Sequence, residues 1–75
     1  MKTIDHIASQ NSVFRALLDD YRNHLKDWPF PEMLAYVHGR ATGALLVLYS
    51  AGLISEQEHD SACAELREMG KGVAQ

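Results

Sequence analysis

At 75 residues the chain is one domain, and its 47% apolar content excludes a disordered tail. No apolar run approaches the roughly 20 residues of a membrane span, and Cys63, the single cysteine, leaves no disulfide to form within the chain. The formal net charge of −3 arises entirely in the last third, where Glu56, Glu58, Asp60, Glu65 and Glu68 face only Arg67 and Lys71.

That acidic balance argues against a phosphate-binding surface there. Met1-Lys2-Thr3-Ile4-Asp5-His6 lacks the apolar core of a signal peptide, so the expected location is cytoplasmic. A core this small is marginal by itself, and oligomerisation is the common remaining support.

The first predicted helix spans about residues 4–28. Phe14, Leu17, Leu18, Tyr21, Leu25 and Trp28 recur at helical spacing, with Arg15, Asp19, Arg22, Asn23 and Lys26 opposite. Ile4 and Ile7 extend the stripe backwards across Ser9-Gln10-Asn11-Ser12, where Asn11 or Ser12 is a candidate N-cap. Two versions follow, one long helix or a short turn and then a helix from about residue 12; the reading adopted is a helix that begins before residue 12. Trp28 is expected to be largely buried at the end of the stripe, with Phe30 covering the base of the hairpin.

Pro29 stops this helix, and Pro31 suits the first position of the next. So short a link predicts antiparallel neighbours.

The second helix, about 31–51, has two apolar faces at 100° per residue. Leu34, Val37, Ala41, Ala44, Leu45 and Leu48 form a core stripe. Opposite them lie Ala35, Gly39, Gly43, Leu46 and Val47, with Tyr36 beside them, and only Glu32 and Ser50 are polar at the ends. Two mid-helix glycines cost up to about 1 kcal/mol each relative to alanine. Arg40, the one charge in mid-helix, is a candidate partner anchor. This second face, Ala35, Tyr36, Gly39, Arg40, Gly43, Leu46 and Val47, is the predicted partner or dimer face.

The turn that follows has the most specific local chemistry. Gly52 suits the left-handed residue after a helix, with Leu53 placed to contact Leu48 as in a Schellman motif. Ser55 and Glu58 have the spacing of a capping box. A third helix, about 56–69, carries a narrow stripe of Ala62, Leu66 and Met69, with Gly70 as its stop and a frayed tail over 71–75. The segment Leu45 to Leu66, with Ala-Gly-Leu-Ile-Ser-Glu at its centre, resembles the short C-terminal helical hairpins called SHOCT domains. It covers under a third of the chain and departs from them in its wholly apolar first part, and no function is carried over.

Chemical sites find little support. His6, His24, His38 and His59 fall on different segments without a His-x₃-His pair, so neither metal nor cofactor is predicted. Cys63 with a histidine could form a nucleophile and base, but no third residue is identifiable to orient them, and the chain is read as not an enzyme. A DNA-binding helix-turn-helix would have to insert a helix opening on Glu56, Glu58 and Asp60 beside phosphates.

The expected fold is all-α: three helices, the first two an antiparallel hairpin and a short third folded back at Gly52. The expected function is a non-enzymatic protein-binding module, a homodimer that also binds another protein. Its economy of size suits an accessory or inhibitory factor of a bacterium or its mobile elements. The rival is a small dimeric nucleic-acid regulator using Lys2, Arg15, Arg22 and Lys26.

Overall fold

Among the described residues there are four helices, not three: α1 (Lys2–Gln10), α2 (Ser12–Asp27), α3 (Pro31–Ser50) and α4 (Glu56–Ala74). The computed structural model describes residues 2–74, with side chains through Lys71. The expected first helix divides at Asn11, which has extended backbone angles and accepts a hydrogen bond from Phe14 N–H at 2.9 Å. An asparagine oxygen that caps the following helix ends the preceding one, because the cap residue itself is not helical. A nine-residue helix is too short to persist alone. Glu65 of α4 secures it, its carboxylate accepting from Thr3 N–H at 3.3 Å and Ile4 N–H at 3.0 Å. That places a negative charge and two acceptors on the free amides of the first turn.

The helices close into a ring in which α1 and α3 each pack on both α2 and α4. The buried core draws on all four: Ile4, Ile7 and Ala8; Phe14, Leu18 and Tyr21; Val37, Ala41, Leu45 and Leu48; Ala62 and Leu66. The stripe predicted for the second helix is therefore the inward face of α3. Tyr21 ties α2 across to α4, its hydroxyl donating to the Leu66 carbonyl at 3.2 Å.

Two expectations at the helix ends are corrected. Trp28 is 60% exposed and Phe30 59% exposed, not buried. The helix has already ended at Asp27, and Trp28, at φ −139° and ψ 61° before Pro29, has turned off the stripe. Nor does Gly70 stop the last helix, which runs on to Ala74; Gln75 lies outside the described residues. Gly70 serves a packing need instead. A Cβ there would sit 2.7 Å from the Tyr21 hydroxyl oxygen.

Candidate functional site

The turn after α3 has the predicted chemistry. Gly52 is at φ 75°, Leu53 N–H donates to the Leu48 carbonyl at 2.9 Å, and Gly52 N–H donates to the Tyr49 carbonyl at 3.0 Å. These are the two bonds of a Schellman ending. Leu53 itself remains 68% exposed, and Ile54 is the residue that packs on the core. At the start of α4, Ser55 N–H donates to Glu58 Oε1 at 2.9 Å and Glu58 N–H donates to Ser55 Oγ at 3.1 Å. Bonding from Ser55, backbone first and hydroxyl second, holds the Glu58 carboxyl below its ordinary range. This turn aims α4 back along α3 and so decides what α3 leaves uncovered.

What it leaves uncovered is the predicted partner face. Ala35, Tyr36, Gly39, Arg40, Gly43, Leu46 and Val47 are all exposed, with Tyr36 60%, Leu46 54% and Val47 66% accessible. A Cβ built on Gly39 or Gly43 would meet nothing within 4 Å, and neither glycine has a positive φ. Nothing in the folded chain therefore demands glycine at these two positions, although each weakens the helix. Arg40 lies 3.7 Å from Asp20 of α2 and stands over the Tyr36 ring at 5.7 Å. Its charge is balanced within the chain. Met33, Phe30 and Trp28 continue the exposed apolar surface round the α2–α3 corner, where with Asp20, Asn23 and His24 they line a hollow of about 360 Å³.

The cysteine and histidine pairing weighed from the sequence involves His59. His59 and Cys63, one turn apart on α4, come together with Cys63 Sγ 3.7 Å from His59 Nε2, and His59 Nδ1 lies 3.0 Å from Asp60 Oδ1. The four-residue spacing was the available signal, and Asp60 is the third residue that had not been identified. Chemically the group is poorly prepared as a nucleophile. Burial pushes the Cys63 thiol up, an effect that Arg67 partly offsets and Asp60 reinforces. The Tyr49 ring lies 5.5 Å from the imidazole, and none of the cavities described is lined by Cys63. Among the described residues there is no group of three or more histidine, cysteine or acidic side chains placed to hold a metal ion.

The basic residues of the nucleic-acid reading are divided between two helices, Lys2 on α1 and Arg15, Arg22 and Lys26 on α2. Arg22 bonds Asp5 at 2.8 Å, and its guanidinium holds that carboxyl below the ordinary range. Among the described residues, no helix is long and apolar enough to cross a membrane.

A cleft of about 500 Å³ lies at the end of the molecule away from Gly52, lined by Tyr21, Pro29, Pro31, Leu34, Ala35, His38, Arg67, Gly70 and Lys71. His38 turns an edge to Tyr21, with ring centres 5.6 Å apart. Burial, and secondarily the Arg67 charge, keep its pKa below the ordinary histidine value. No family model matches the chain, and no curated protein or solved structure matches it.

Proposed function

We propose that the chain is a non-enzymatic protein-interaction module that works as a homodimer through the outer face of α3. The observation that carries this reading is the open Gly39–Gly43 step, flanked by exposed Tyr36, Leu46 and Val47. Glycine spaced one turn apart lets a second helix approach closely, and an apolar rim around it supplies area to bury.

The face is also matched to its own reverse. Gly39 and Gly43, Tyr36 and Leu46, and Ala35 and Val47 are each equidistant from Ala41, and Glu32 and Ser50 close the two ends. In an antiparallel pair whose twofold axis passes at the level of Ala41, Gly39 of one copy meets Gly43 of the other. Tyr36 then meets Val47, and Leu46 meets Ala35, a larger side chain against a smaller one each time. A self-complementary patch of this kind forms a closed isologous dimer. Arg40 lies at the rim, where Asp20 of its own chain offsets the like charge across the axis. Trp28 and Phe30 lie at the α2–α3 corner, beyond this contact, as the surface for another protein, which an accessory or inhibitory factor requires.

Sedimentation equilibrium at tens of micromolar tests the reading. The parent chain is expected at dimer mass. Gly43→Leu is expected at monomer mass with its helical circular dichroism retained. A parent of monomer mass, or a Gly43→Leu variant that still dimerises, refutes the proposed interface.

A further inference from the structure

The cleft at the Pro29–Pro31 end combines a wall of one character with a floor of another. Pro29, Pro31, Leu34 and Ala35 line one side with apolar surface, and Arg67 and Lys71 of α4 supply two cations on the other. Arg67 makes no ion pair among the described residues, whereas Lys71 already reaches Glu68 at 3.3 Å on the surface. Between wall and cations stands His38, whose Nε2 is buried and has no hydrogen-bond partner among the described residues. That atom is covered by the chain itself, so His38 gives the cleft ring surface and leaves Arg67 as the group that selects for charge. At Gly70 the Tyr21 hydroxyl occupies the place a side chain would take, so helix and tyrosine meet closely at this edge of the cleft.

We infer that this cleft binds a small amphipathic carboxylate. The apolar body of the ligand lies against Pro29, Pro31 and Leu34. Its carboxylate lies on the Arg67 guanidinium, whose paired N–H groups match two carboxylate oxygens. The His38 ring adds to the surface against which the ligand packs. A cleft of about 500 Å³ is in the range of small-molecule sites, most of which are apolar with a few convergent polar groups. A free inorganic phosphate fits less well, because it would leave the apolar wall wet. Of the proposed dimer face only Ala35 also lines the cleft; Gly39, Gly43, Leu46 and Val47 take no part in it, and the ligand contacts do not use Ala35.

The test uses the intact protein and a matched pair of probes, indole-3-acetate and its neutral amide, titrated while heteronuclear NMR spectra are recorded. Indole-3-acetate is expected to bind with a Kd below about 1 mM, and the amide about tenfold more weakly. Shifts should centre on the His38 imidazole and the Leu34 methyl groups. Arg67→Gln, an exposed substitution, should erase the preference for the carboxylate while its spectrum keeps the dispersion of the folded chain. A Lys71→Gln variant should weaken binding less, because that lysine already has a carboxylate partner. Equal binding of acid and amide overturns the inference. So does an absence of saturable shifts, an unchanged preference in Arg67→Gln, or shifts centred on Trp28, Phe30 and Met33.

Discussion

Gly52, Glu58 and Gly70 show how single positions carry separate physical loads. Gly52 lies in the left-handed region, which alanine enters only with strain. Gly52→Ala is therefore expected to lower the urea midpoint more than an exposed mid-helix substitution, and Ser55→Ala to cost about 1 kcal/mol through the lost cap. Unchanged midpoints in both would move the hairpin boundary elsewhere. Glu58 adds a pH dependence of definite sign. Its folded pKa is lowered by Ser55, so the folded state favours the ionised carboxylate. The stabilisation is fully present above the pKa of the unfolded chain and is lost as pH falls through the lowered folded value. Acid titration of stability should show that loss in the parent and less of it in Ser55→Ala. Gly70 is a third case. Alanine favours helix, yet a Cβ at this position collides with a tyrosine hydroxyl that is already bonded to Leu66. Gly70→Ala is expected to destabilise the parent and to cost much less in a Tyr21→Phe background. Equal cost in both backgrounds would show that the hydroxyl is not the obstacle.

Among the elements, α1 owes its existence to residues outside it. Asn11 ends it by capping its neighbour, and Glu65 finishes its first turn from α4. Asn11→Ala is expected to cost about 1 kcal/mol. Glu65→Ala should cost about 1–3 kcal/mol, because it strips acceptors from partly buried amides. Urea denaturation monitored by circular dichroism measures both, and a parent-like midpoint for Glu65→Ala would detach α1 from α4. These dependencies set what could be read in advance. The inward face of α3, the Schellman bonds at Gly52 and the Ser55–Glu58 box are local patterns of spacing and residue type, and they were legible. Asn11 was visible as a candidate cap, but that the segment before it docks as a helix of its own rests on Glu65, a contact between remote positions. Trp28 misled because its spacing continued the stripe, whereas Pro29 had already taken its backbone out of the helix. Gly70 had the appearance of a stop signal, and only the arrival of Tyr21 gives it another use. The exposed face of α3 was legible as a second apolar stripe, while the cleft was not, since it needs Pro29, His38 and Arg67 from three separate parts of the chain.

For the whole molecule, the ring of four helices separates two surfaces. One is the outer face of α3, flat, apolar and marked by Gly39 and Gly43. The other is the cleft between the ends of α3 and α4, concave and carrying charge at Arg67. Ala35 belongs to both, at the boundary between them. The ring itself also has a direction in time. Glu65 completes the first turn of α1 across a separation of 61 positions. A ribosome releases residues in order, so the leading amides of α1 lack this acceptor until Glu65 has emerged, and nine residues are too few to hold a helix alone. A nascent chain stalled short of Glu65 has α2 but not α4 for α1 to pack on, which leaves the segment before Asn11 more open to a chaperone or a protease.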